Sequence, residues 1–191
     1  MAGSSVVALN IGSPDMEAFF SGRHPRCVGM QRAGSLSELR GRLDEHSRSS
    51  EAPVTLDLIG HSTRNHHLLR LGDTPIDMLD PGVARFFREL AASGLPTKLK
   101  IVAVRLLGCA TAVTDSGHRT LAMLAHTLRL PVFGTTKPLL RSHYNAAGFD
   151  PAFAHLLVGA PARQGSPHPS SPSDGDGTVC SPLRRPRDSA A

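Results

Sequence analysis

The sequence has no tryptophan and a single tyrosine, and aromatic residues make up only 4% of the chain. That scarcity argues against a base-stacking nucleic-acid surface, which interleaves aromatics with lysine and arginine. It also leaves Leu, Val, Ile and Ala to build the core. Long apolar runs are missing: no segment nears the roughly 18–20 residues that cross a bilayer as a helix, so no membrane partner is expected. The N-terminal MAGSSVVALNIGSPD has no basic start and only a short apolar run, unlike a signal peptide. Cysteine is sparse and odd in number, and Cys27, Cys109 and Cys180 lie in unrelated contexts that make a poor disulfide framework. The expected compartment is therefore cytoplasmic, where thiols stay reduced. No Gly-x-Gly-x-x-Gly, P-loop, Cys-x-x-Cys or His-Glu-x-x-His stands in the chain, and neither cofactor nor metal is expected.

What is present suits one α/β domain. The chain has 191 residues, 40% of them hydrophobic. Its net charge is +5, but Arg184, Arg185 and Arg187 cluster in a polar tail and account for part of that. A nucleic-acid partner is not expected. From Pro161 the composition turns to Pro, Ser, Gly and charge, which cannot bury enough apolar area to offset ordering entropy. The expected organisation is a domain over 1–160 and a disordered tail over 161–191.

Within the domain, strands are expected at Val6–Ile11, Val54–Gly60, Lys100–Leu107 and Pro131–Thr136, with an irregular stretch between the first of them and Gly34. Ser35 with Glu38 three residues on forms a capping box before Leu36, Leu39 and Leu43, which predicts a helix over 36–47. HHLLRLGD predicts a short hairpin turning at Gly72-Asp73. Asp80-Pro81 opens a helix that carries Val83, Phe86, Phe87 and Leu90 on one face and stops at Gly94. Leu121, Leu124, Ala125 and Leu128 mark another helix over 117–129. Alternating strands and helices predict a three-layer α/β sandwich: a mostly parallel central sheet with helices on both faces.

In such sheets functional groups collect at the carboxyl ends of strands. Two strands here end in reactive residues, one running into Gly60-His61-Ser62 and the other into Gly108-Cys109-Ala110. If the strands are neighbours, about 4.8 Å apart, the imidazole and the thiol share a cleft. The chemistry is then nucleophilic acyl transfer, with Cys109 attacking a peptide carbonyl and His61 stabilising the thiolate or orienting the substrate, then protonating the leaving amine. Backbone N–H groups around Gly60 and Gly108 are candidate oxyanion donors. A lone strand-end cysteine is ordinarily a small buried hydrophobe, but burial requires no histidine at the matching strand tip.

The succession LIGHST, LLRLGD, RLLGCATA and PVFGTT, with intervening helices, resembles the caspase-like superfamily of cysteine peptidases. That superfamily includes caspases, gingipain- and clostripain-type peptidases and CHAT domains, and the likeness is greatest to bacterial domains of the DUF4347 type. The spacing is similar too: His61 lies 48 residues before Cys109, and in caspases the histidine precedes the cysteine by about 50. The likeness covers about Val54 to Thr136. It implies a caspase-like fold, a peptide or protein substrate and hydrolysis by a His61/Cys109 dyad without metal. The sequence departs from the pattern in having Ser62 where the family has Gly after the histidine, and in lacking the caspase Q-A-C-x-G signature. A catalytically inactive binding or scaffold module on the same fold is the alternative.

Other groups carry weaker signals. His61, His66 and His67 cluster in GHSTRNHH, but such a polar loop lacks the partner spacing of a zinc site. Gly60-His61-Ser62-Thr63-Arg64 does not match the Gly-x-Ser-x-Gly of serine hydrolases. Asp115 follows the Cys109 loop. It is either a substrate-pocket acid that selects a basic residue or, by preference, the cap of the helix after it. Arg64 and Arg70 read as solvated.

Overall fold

The computed structural model describes residues 6–20, 29–47 and 52–160. The tail from 161 and the segment around Cys27 lie outside the described residues.

Short β-branched and aliphatic runs form the sheet. Strand β1 (Val7–Gly12) leads to a short helix α1 (Met16–Phe20), strand β2 (Gln31–Arg32) and helix α2 (Leu36–His46). Strand β3 (Val54–Ile59) is followed by a hairpin of β4 (Arg70–Leu71) and β5 (Thr74–Pro75), then helices α3 (Pro81–Ala92) and α4 (Leu95–Lys98). Strand β6 (Ile101–Leu107), helix α5 (Asp115–Leu128) and strand β7 (Val132–Thr135) complete the alternating part. A small hairpin of β8 (Tyr144–Asn145) and β9 (Gly148–Phe149), a 3-10 stretch (Pro151–Leu156) and strand β10 (Leu157–Ala160) follow.

The sheet has six strands in the order β10-β7-β6-β3-β1-β2. All pair in parallel except β10, which runs antiparallel to β7. The molecule is thus an α/β fold on a mostly parallel, mixed sheet flanked by helices. The central strands β3 and β6 are the ones the sequence marks as most apolar.

Capping chemistry sets the helix starts. Ser35 accepts the Glu38 N–H at 3.2 Å, while the Glu38 carboxylate reaches back to the Gly34 N–H at 2.9 Å, one residue earlier than the ideal capping box. Asp80 caps α3 with Pro81 in its first turn, as expected from the sequence. The cap of α5 is Thr114, whose hydroxyl accepts the Gly117 N–H. Asp115 is instead the first helical residue, exposed, where its charge favours the helix N-terminus. The expectation that Asp115 caps this helix is corrected: a β-region cap needs a side-chain oxygen two or three residues before the free N–H, and Thr114 holds that place.

The two sheet faces are covered unequally. Leu9, Ile11, Leu56, Leu58, Val104 and Leu106 pack with Leu39 and Leu43 of α2, Phe87 and Leu90 of α3, and Leu121 and Leu124 of α5 in one core. The alternate strand positions Ile59 and Leu107 enter a second, smaller cluster with Met16 and Phe20 of α1, Tyr144, Phe149 and Leu156. Among the described residues this second face is covered by one short helix, a hairpin and a 3-10 stretch. This cover is not legible in the sequence, because five- and six-residue segments carry too little periodicity to read.

A polar row crosses the second face. Asn10, Asp57 and Arg105 are register partners on β1, β3 and β6. Asp57 is fully buried and forms a fork with Arg105, both N···O distances being 2.6 Å. Phe149 lies over the guanidinium at 5.4 Å. Burial pushes the Asp57 carboxyl up from its ordinary value, with Arg105 pulling the other way.

Candidate active site

The strands β3 and β6 are adjacent, parallel and in register, with Ile59 opposite Leu107. His61 and Cys109 each follow two residues after these last register partners. The Gly60 N–H donates to the Leu107 carbonyl at 3.2 Å, so the pairing persists one residue past β3. Both candidate dyad residues therefore leave the carboxyl ends of neighbouring central strands, as the sequence suggested.

The glycines before them are there for close approach. A Cβ on Gly60 would stand 2.2 Å from the Arg70 carbonyl oxygen. One on Gly108 would meet the Ser62 hydroxyl at 2.7 Å and Leu69 and Thr111 at 2.9 Å. Any side chain here would push the β4 strand and the His61 segment off the end of the sheet. Of the two candidate oxyanion donors, Gly60 thus has its N–H on the Leu107 carbonyl.

His61 is exposed, and its Nε2 stands 3.9 Å from Asp15 Oδ2 in the loop after β1. The same carboxylate oxygen is 3.7 Å from Arg70 Nη2. Arg70 is thus an ion-pair partner beside His61, with its Nε buried, rather than the solvated residue expected. With both side chains of the Asp15–His61 pair about half exposed, it contributes less than about 1 kcal/mol. Sequence reasoning missed Asp15, since its proximity arises from β1 lying beside β3.

The Cys109 segment is held firmly. Cys109 is a free thiol of intermediate exposure. Ala110, the next residue, has φ +57, a left-handed conformation uncommon for a residue with a Cβ and one that concentrates at functional turns. The turn is pinned from β7. Ala110 and Ala112 donate their N–H groups to the carbonyls of Lys137 and Thr135. The buried Thr135 hydroxyl bonds the Gly108 carbonyl at 2.5 Å and accepts the Thr111 N–H at 3.1 Å. The Thr111 hydroxyl bonds the Leu106 carbonyl at 2.9 Å. The stretches RLLGCATA and PVFGTT, far apart in the chain, interlock here.

One contact joins the two reactive loops. Thr114, beyond Cys109, donates its hydroxyl to the His66 carbonyl, beyond His61, at 2.7 Å. Ser62 is tied to the hairpin by a bridge to Leu69, with the Thr63 N–H on Leu68 and the Arg70 N–H on His61. Asp115 sits at the exposed start of α5. Among the described residues no three His, Cys, Asp or Glu side chains converge as metal ligands, the His61, His66 and His67 group included. No helix among them is long and apolar enough to cross a membrane.

The arrangement offers a thiol and an imidazole at one sheet edge, a strained turn behind the thiol and an acid near the imidazole. Comparison of the chain with protein-family models and with curated proteins finds no match.

Proposed function

We propose that this protein is a cysteine endopeptidase of the caspase-like type, built as a three-layer sandwich, with Cys109 as nucleophile and His61 as its acid–base partner. The observation that carries the proposal is the shared strand end: Gly60-His61 and Gly108-Cys109 directly follow Ile59 and Leu107, the last register partners of two adjacent central strands. A structural cysteine asks for no such match.

In the proposed reaction the Cys109 thiol passes its proton to His61, and the sulfur attacks the carbonyl carbon of the scissile peptide. The oxygen gathers charge near the backbone N–H groups of Gly108 and Cys109. The C–N bond then breaks as His61 returns the proton to the departing amine. Water, deprotonated by the same imidazole, cleaves the thioester and frees the acid. The Asp15 carboxylate stands 3.9 Å from Nε2 of this imidazole.

The test is hydrolysis of a fluorogenic peptide library together with timed iodoacetamide labelling. Cys109→Ala is expected to abolish turnover, and His61→Ala to lower it about 10²–10⁴-fold. Iodoacetamide should modify Cys109 faster than Cys27 or Cys180, and this advantage should vanish in His61→Ala. Labelling of Cys109 no faster than Cys180 overturns the proposal in favour of a non-catalytic binding module. That second reading is favoured by one observation: the imidazole is exposed, and its charged neighbour stands at 3.9 Å, beyond hydrogen-bond reach.

A further inference from the structure

Beside the His61 segment lies a hollow of about 360 Å³ with a mostly apolar wall. Leu36, Leu68, Pro75 and Val83 supply the apolar surface, and Asp77 and Asp80 stand at it as carboxylates. Thr63 and His66 form the side nearest the candidate site. Thr63 is two residues past His61, and the His66 carbonyl is the group bonded by Thr114 of the Cys109 segment. The hollow is therefore at the same carboxyl edge of the sheet as the dyad, where α2 and α3 begin.

The two carboxylates are fixed in place. Asp77 Oδ1 accepts the Leu79 N–H at 2.9 Å. Asp80 Oδ1 accepts the N–H groups of Gly82 and Val83 at 2.8 and 2.9 Å, so the positive end of α3 is already occupied by its own cap. Oδ2 of each carries no hydrogen bond among the described residues. No lysine or arginine lines the hollow. An apolar wall with two preorganised acids at one side is complementary to a side chain that has a long aliphatic stem and a cationic head.

We propose that this hollow is a subsite for a lysine or arginine side chain of a bound peptide. The stem lies against Leu36, Leu68, Pro75 and Val83, and the head meets Asp77 and Asp80. The proposal deepens the peptidase reading and depends on it only in taking a peptide as the occupant of the cleft. It assigns selection of a basic residue to Asp77 and Asp80 rather than to Asp115.

The experiment measures binding without turnover, by fluorescence anisotropy on the full chain carrying Cys109→Ala. The probes are pools of labelled heptapeptides free of Lys and Arg except for one position, which holds arginine in one pool and its neutral isostere citrulline in the other, scanned along the peptide. At one position the arginine pool is expected to bind at least tenfold more tightly. Asp77→Asn with Asp80→Asn is expected to erase that preference by weakening binding of the arginine pool to the level of the citrulline pool. Asparagine keeps both turn and cap hydrogen bonds through its own oxygen, and an unaltered thermal melt shows that the variant is folded. Equal binding of both pools at every position, or a preference that survives the double substitution, overturns the subsite. Cleavage of both pools at equal rates by the unmodified chain would sink the subsite and leave the peptidase reading standing. Asp77- and Asp80-dependent binding with no cleavage of either pool would sink the peptidase reading and leave the subsite.

Discussion

Arg105 and Asp57 show how much a single side chain decides on the less-covered sheet face. Asp57 is completely buried, so removing its partner strands a carboxylate with no compensation. Arg105→Met should therefore cost about 3–5 kcal/mol at neutral pH. The sign of the pH dependence follows from burial. The folded state already holds the Asp57 proton more tightly than the unfolded chain does, and losing Arg105 raises that pKa further. A raised carboxyl contributes its full stability below the ordinary carboxylate range and loses it as pH climbs through the raised value. Urea titrations should accordingly find the Arg105→Met penalty smaller at pH 4 than at pH 8; a penalty independent of pH would mean that Asp57 is not the group left stranded. None of this was legible in the sequence, where VTLDLI and KIVAVRLL look like apolar strands each interrupted by one charge. The two charges meet because the ladder sets Asp57 opposite Arg105.

At the level of elements, the joints between strand ends and helix starts matter more than the helices themselves. Thr114 both caps α5 and bonds the His66 carbonyl, so one hydroxyl fastens the loop after Cys109 to the loop after His61. Thr114→Ala should lower stability by about 1 kcal/mol through the lost cap. If the proposed dyad is active, peptide turnover should fall further than that loss accounts for, and Thr114→Ser, which keeps the hydroxyl, should restore both. Chemical denaturation and turnover on the same preparations check this; turnover unaffected by Thr114→Ala would show that the joint does not position the loops. The helix starts at Ser35 and Asp80 and the turn at Gly72-Asp73 were readable because capping and turn chemistry are local. α5 starts two residues before the expected 117, and its cap is one residue before Asp115, since Thr114 and Asp115 both suit a cap and the choice rests on backbone conformation. The short helices α1 and α4 were invisible for want of length.

For the whole molecule, the larger core is one continuous body shared by the sheet and the helices α2 to α5. Leu58 sits at its centre, fully buried on β3 three residues before His61. Leu58→Ala should cost about 2–5 kcal/mol. Far-UV ellipticity and accessibility of the Cys109 thiol should then change in a single transition on heating; separate transitions would show that the site end of the sheet unfolds independently of the core. The aromatic-poor composition foretold an aliphatic core, and the described residues have one, with Phe87 as its one aromatic of negligible exposure. Phe86 packs beside it, whereas Phe19, Phe20, Tyr144 and Phe149 gather on the second face and make edge-on contacts.

The sequence by itself determined four of the six sheet strands, the main helices and the two glycine-led strand tips, because periodicity, caps and turns act over a few residues. Tertiary structure alone decided which strands are neighbours and in what register. Only then do Asp15 approach His61, Thr135 hold the turn behind Cys109, and Asp77 and Asp80 face the loop that His61 begins. Such contacts join positions from about a dozen to nearly fifty residues apart, and no local pattern encodes them: they follow from the order in which the strands and helices pack together.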